Sequence, residues 1–271
     1  MLEYIPFNQV SGEIRTQIWN DGFSDYLRPI HMTAEQLNNR LQTLNLSEDK
    51  SFVVFENGVA KGITLYGVKD FNGTRTCWIG GLAVHPDYRK EGIGIAMLDY
   101  SEKISRELAI DLVTLEVIAA NQKALSLYQR EGYKIARKVS FLKGDIKEST
   151  KELAIKLIKI HDLTDERDLT IPWQNRLFHG YEQFIIEENN QKIGYLVCQK
   201  NQQVMQIFQL SLPQEKVSDL LVCLKKEQQV ETIVGVNLLS DTSEVAGLIE
   251  VGIEVDLDQY QLEKRLSQER V

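Results

Sequence analysis

Val84-His85-Pro86-Asp87-Tyr88-Arg89-Lys90-Glu91-Gly92-Ile93-Gly94 is the stretch on which the reading of this chain turns. It joins a β-rich run, Thr76 to Val84, to a helix-like run, Ile93 to Ala109. A strand that enters a helix through a glycine-bearing loop aims several free backbone N–H groups at one point, with the positive end of the helix dipole behind them. Gly92 and Gly94 lack Cβ atoms, so the backbone can close on phosphate oxygens and take φ values that other residues avoid. Arg89 and Lys90 add positive charge beside them. The expected ligand is a pyrophosphate.

Two common phosphate loops are poor matches. No Gly-x-x-x-x-Gly-Lys-Ser/Thr run exists, so magnesium-nucleotide chemistry has no support. A dinucleotide loop needs Gly-x-Gly-x-x-Gly, and Met97 stands where the third glycine belongs. Glu116 does follow about 20 residues on, as that fold requires. The strands before the loop nevertheless read as an antiparallel meander and not as an opening βαβ unit.

Upstream of the loop, helical periodicity marks Ser11 to Asn20 and Thr33 to Leu44, where Thr33 and Gln36 form a capping box. β-rich runs at Ser51 to Glu56 and Val59 to Lys69 flank Glu56-Asn57-Gly58, a hairpin signal. Asn72-Gly73 makes a second turn before Thr74 to Val84. The paired Gly80-Gly81 inside that strand predicts a bulge or splay. Downstream come a strand at Leu112 to Ile118, a helix at Gln122 to Glu131 closed by Gly132, and a strand at Tyr133 to Leu142. The order is β, α, α, β, β, β, α, β, α, β. The second half repeats the later part of it. Shifting by 120 positions lays Gly132 on Gly252, Tyr128 on Leu248 and Asn121 on Asp241. The charged region from Lys143 to Asp168 is expected to carry the boundary.

The spaced pattern Val84-x-Pro86-x-x-Arg89-x-x-Gly92-x-Gly94 resembles the acetyl-CoA loop of the GNAT superfamily of acyl-CoA N-acyltransferases. Leu115-Glu116-Val117, Asn121, Ala124, Leu127-Tyr128 and Gly132-Tyr133 resemble that superfamily's second signature. The resemblance covers about residues 1–141. It implies an α+β fold of the α/β sandwich type, with a mixed, mostly antiparallel sheet flanked by helices. Residues 1–145 are expected to form the N-acetyltransferase domain. Residues 146–271 are expected to form a smaller, degenerate GNAT-like α+β domain. In that half the equivalent loop, Leu212 to Asp219, has no Gly-x-Gly, and Leu248 stands in the tyrosine's place, so it is not expected to bind coenzyme A.

The resemblance implies transfer of an acetyl group from acetyl-CoA (coenzyme A) to a primary amine, by direct attack in a ternary complex. Leu82, Ala83 and Val84 would pair their backbone with the pantetheine amides. Arg89, Lys90, Gly92, Ile93 and Gly94 would hold the pyrophosphate, and Asn121 the arm or the adenosine side while also capping the helix after it. Tyr128 is the implied general acid, since a phenol keeps its proton at neutral pH. Glu116 is the expected base: strand alternation points it away from Leu115 and Val117. The acceptor site is expected from the Trp19 to His31 segment and the strand near Trp78, with Asp21, Asp25 and Tyr26 suited to a cationic amine. An acyl-cysteine route through Cys77 is the less favoured chemistry. The alternative to an enzyme is a non-catalytic acyl-CoA-binding or regulatory module.

Bulk properties narrow the partners. Lys and Arg number 16 against 17 Asp and Glu over residues 1–141, and 15 against 22 over 142–271. A net charge of -8 argues against nucleic acid and leaves a small-molecule or peptide amine as the expected partner. Three scattered cysteines, Cys77, Cys198 and Cys223, read as reduced thiols of a cytoplasmic protein. The four histidines show no metal-ligand spacing, so no metal is expected. No long apolar run is present for a membrane. Monomer and homodimer both fit.

Overall fold

The computed structural model describes residues 1–27, 30–161, 163, 170–176 and 180–266. In chain order the elements are β1 (Glu3–Pro6), α1 (Gly12–Gly22), α2 (Ala34–Thr43), β2 (Phe52–Glu56), β3 (Val59–Phe71), β4 (Thr74–Val84), α3 (Ile93–Glu107), β5 (Leu112–Ile118), α4 (Gln122–Arg130) and β6 (Lys134–Asp145). Then come β7 (Lys156–Ile160), β8 (Glu182–Glu188), β9 (Gln191–Asn201), β10 (Val204–Ser211), α5 (Val217–Gln228), β11 (Thr232–Leu239), α6 (Ser243–Glu250) and β12 (Glu254–Arg265). The fold is α+β, as expected. Among the described residues no helix is long and apolar enough to cross a membrane.

Local chemistry explains the turns. Asn57 (φ 52) and Gly58 (φ 77) link β2 to β3, and Asn72 (φ 51) and Gly73 (φ 77) link β3 to β4. Both pairs hold two successive left-handed residues, the geometry of a tight hairpin. Ser11 and Thr33 cap α1 and α2, Thr33 through the full capping box with Gln36.

The chain divides into two compact units, and the division is interleaved. The first comprises Met1–Val117, Asn121–Ala136 and the stretch from Leu262 onward; the second comprises Ile118–Ala120 and Arg137–Gln261. The sequence reading placed a single cut after residue 145. It also read the charged region around residues 143–168 as a boundary, whereas Lys156–Ile160 there is β7, paired antiparallel with β8.

In the first unit β1, β2, β3 and β4 pair antiparallel in that order, and β5 joins β4 in parallel. α1 lies against one face: a Cβ on Gly22 would stand 2.7 Å from that of Ala83. On the opposite face Leu82 and Val84 pack with Phe52, Val54, Ile93 and Met97, which seats α3. Alternation along β4 thus sends Ala83 one way and its neighbours the other.

The second unit repeats this plan. β7, β8, β9 and β10 run antiparallel, β11 joins β10 in parallel, and β6 lies beyond β11. Its core gathers Leu196, Ile207, Val217, Leu220, Leu224 and Leu248, among others. Gly132 (φ 85) ends α4 and Gly252 (φ 97) ends α6, so the 120-residue offset is a structural repeat.

Candidate active site

β4 and β5 pair at Thr76↔Leu112, Cys77↔Val113 and Trp78↔Thr114, and the ladder stops there although β4 continues to Val84. The cause lies in β4 itself. Opposite β3, Leu65 faces Gly81 and Tyr66 faces Ile79, which leaves Gly80 as an extra residue. Such a bulge bends its strand. Neither glycine tolerates a side chain: a Cβ on Gly80 would stand 2.6 Å from the Trp78 ring, and one on Gly81 2.8 Å from Trp19. Leu82, Ala83 and Val84 therefore pair with β3 along one edge and turn the other toward the gap.

The loop beyond Val84 is a one-turn 3-10 helix, Pro86–Tyr88. His85 Nδ1 accepts the Asp87 N–H at 3.2 Å, so His85 shapes this turn. Lys90 (φ 69) and Gly92 (φ 81) are both left-handed, and open space surrounds Gly92. From Lys90 to Ile95 no backbone N–H has a partner among the described residues. Ile93 faces the core, and Gly94 rests 3.5 Å from Leu127 of α4. Asn121 caps α4 by accepting the Ala124 N–H at 3.2 Å.

Arg89 and Asp25, read from the sequence as a phosphate ligand and an amine ligand, meet each other. Arg89 Nη1 and Nη2 donate to the two Asp25 oxygens at 2.6 and 2.8 Å. Nη2 also reaches the Gly22 carbonyl at 3.0 Å, and Nε the Val84 carbonyl at 3.1 Å. One guanidinium thus ties the end of β4 to the end of α1. Its hydrogen bond holds the Asp25 carboxyl below the usual carboxylate range.

Glu116 sits between buried Leu115 and Val117 and is itself half-buried, on the opposite side of β5, as alternation predicted. Its Oε2 accepts the Trp78 Nε1–H at 2.7 Å. Tyr128 is 8 % exposed, and its hydroxyl makes no hydrogen bond among the described residues. Burial pushes its pKa up, and Tyr26 adds to the rise. Tyr26 in turn meets Phe23 edge-on, 5.4 Å between centroids. Cys77 is fully buried, and burial raises its thiol pKa, which removes the thiolate that an acyl-cysteine route needs.

Sequence reasoning missed Arg40. It falls on the stripe of α2 that Leu37 and Leu41 bury, and a cation on an apolar stripe was the available signal. Its Nη2 donates to the Gly80 carbonyl in the bulge at 3.0 Å. The Trp19 to His31 segment was also expected to line the acceptor site; Arg28 and Pro29 lie outside the described residues.

The second unit has the same parting of strands, and it is filled. β10 and β11 pair as far as Ile207↔Gly235. Asn175, at the end of the turn Trp173–Asn175, donates from Nδ2 to the Phe208 carbonyl at 2.6 Å and the Val236 carbonyl at 2.7 Å. Gln209 Nε2 donates back to the Asn175 carbonyl at 2.8 Å. The missing glycines after Pro213 are thus only part of the difference. The slot itself is plugged.

Residues 14–133 match the profile of the acetyltransferase (GNAT) family. The chain is 30% identical over 106 residues to a mycothiol acetyltransferase of Propionibacterium freudenreichii subsp. shermanii; the match takes in 38% of this chain and 34% of that protein, about a third of the relative's length. A GCN5-related N-acetyltransferase from Sphaerobacter thermophilus superposes with a TM-score of 0.66 at 14% identity, over 97% of this chain and 95% of the other. A tandem GNAT protein from the clavulanic acid biosynthesis pathway superposes with a TM-score of 0.65 at 14% identity, over 98% of both chains. These two structures share the fold.

Proposed function

We propose that this chain, whose residues 14–133 match the acetyltransferase (GNAT) family, is an acetyl-CoA-dependent N-acetyltransferase acting on a primary amine by direct attack in a ternary complex. The observation that carries the reading is the run of uncommitted N–H groups from Lys90 to Ile95, set where β4 has parted from β5. Donors aimed together at a helix start suit a pyrophosphate. The open edge of Leu82 to Val84 suits an amide-bearing arm that pairs like one more strand. Coenzyme A has both parts, so the residues present fit it.

When bound, acetyl-CoA supplies an acetyl group already activated as a thioester. The chain supplies position and protons. Lys90, Gly92, Ile93 and Gly94 would hold the pyrophosphate through their main-chain N–H groups, and Asn121 fixes the start of α4. We assign Arg89 to hold that loop, and Asp25 to hold Arg89. An alkyl amine has a pKa of about 10, so it must lose a proton to attack. Glu116 takes that proton, with the Trp78 N–H fixing the carboxylate's direction. As the carbon–nitrogen bond forms and the carbon–sulfur bond breaks, Tyr128 would give its proton to the departing sulfur, and the second proton shed by the attacking nitrogen would return to the phenolate, directly or through solvent. Tyr26 borders Tyr128 on the acceptor side. The three buried free cysteines accord with a reducing, cytoplasmic setting.

Coenzyme A release from acetyl-CoA, followed over a panel of primary amines, tests this. Amine-dependent release above the rate of thioester hydrolysis is expected. Tight acetyl-CoA binding with no release for any amine would leave only a binding module.

A further inference from the structure

Arg40 is a cation with too little to hold. A guanidinium carries five N–H donors. Among the described residues only one of them makes a hydrogen bond, to the Gly80 carbonyl at 3.0 Å. Its Nε is enclosed and has no hydrogen-bond partner. The guanidinium carbon lies 5.7 Å from the centroid of the Trp19 ring, whose Nε1 is enclosed and unpartnered too. Burial pushes the Arg40 pKa down to about 10, with Glu116 as the opposing charge. The side chain is still cationic at neutral pH, but poorly compensated. Enclosed donors without acceptors are costly, and native proteins keep few of them.

The location gives this a meaning. The Gly80 carbonyl belongs to the β4 bulge, two residues beyond Trp78, and Trp78 holds Glu116. Glu116 is also the charge that acts on Arg40, so the guanidinium stands near the proposed base. The Nη1 edge is neither hydrogen-bonded nor among the enclosed atoms. A planar fork of N–H groups with one free edge matches a carboxylate, which can accept two parallel hydrogen bonds. Asp25, expected to greet a cationic amine, has both oxygens on Arg89.

We propose that Arg40 binds a carboxylate on the acceptor, so that the preferred substrates are small amino acids, their amine presented to Glu116 while the far end is held at the β4 bulge. This rests on the acetyltransferase reading above and narrows it to one class of amine.

The test compares matched acceptors that differ only in the carboxylate: β-alanine with propylamine, and γ-aminobutyrate with butylamine, each pair at equal concentration of unprotonated amine. A charged hydrogen-bonded contact corresponds to roughly 10- to 100-fold in affinity, so kcat/KM should favour the amino acid by about that ratio, mostly through KM. Arg40→Gln should collapse the ratio toward one. Arg40→Lys, which keeps the charge and loses the fork, should retain part of it. The unsubstituted enzyme's ratio decides the matter even if a variant misfolds. Acetylation of the plain amines with no gain from the carboxylate overturns this inference and leaves the enzyme reading standing. No coenzyme A release with either set also overturns this inference; the enzyme reading falls with it only if the wider panel of primary amines is silent too.

Discussion

The acid role proposed for Tyr128 requires that it keep its proton, and its surroundings see to that. Burial disfavours the phenolate, so the folded pKa lies above the usual value near 10. The sign follows: the proton is present at all pH values below the ordinary pKa, and it is lost only when pH passes the raised one. The alkaline fall in kcat that an exposed tyrosine would cause near pH 10 should therefore be absent, which a pH–rate profile extended to that range checks. Tyr128→Phe should lower kcat by about 10²- to 10³-fold, a general-acid effect, with acetyl-CoA affinity kept. Because the hydroxyl makes no hydrogen bond among the described residues, the melting temperature should hardly move; a large fall would make Tyr128 a structural residue. Glu116 was legible in the chain, since period-two alternation with Leu115 and Val117 sets its face. The Arg89–Asp25 pair was not. No local pattern couples a loop arginine to an aspartate that far back in the sequence, and only the fold brings them together.

At the scale of elements, the site depends on how β4 ends. Its two glycines announced the bulge because no side chain fits beside Trp78 and Trp19. The Asn-Gly corners announced the hairpins because both positions need positive φ. β7 stayed hidden: Lys156-Leu157-Ile158-Lys159-Ile160 lies in a charged stretch, and its pairing with β8 is long-range. The Arg89–Asp25 bridge fastens the end of β4 to the end of α1. The pair is 38% and 56% exposed, so its direct worth to stability is small, about 0.2–1 kcal/mol. Its effect should fall on loop position. Arg89→Ala and Asp25→Ala should each weaken acetyl-CoA binding by about 3- to 10-fold, and the double variant no more than Arg89→Ala alone, because the Asp25 contact is already gone once the guanidinium is removed. Calorimetry on the four proteins checks this. A much larger loss from Arg89→Ala alone would show that the guanidinium touches the phosphates itself.

For the molecule as a whole, one plan occurs twice and one copy keeps its slot. A single acetyl-CoA per chain is expected by calorimetric titration; two equivalent sites would contradict the plug at Asn175. Asn175→Ala should cost about 1–3 kcal/mol of stability, since the Phe208 and Val236 carbonyls lose their donor. Acetyl-CoA affinity should stay unchanged. The repeat was legible because Gly132 and Gly252 end equivalent helices. The limits of the units were not, because strand ends are exchanged between the halves of the sequence and pairing over such distance leaves no local mark. The first unit draws on the far end of the chain: Leu266 donates its N–H to the Asp111 carbonyl at 3.0 Å, and Lys264 binds the Glu102 carboxylate and the Glu131 carbonyl. A ribosome must therefore deliver residue 266 before the first unit can close, and a truncation after residue 145 leaves it unfinished.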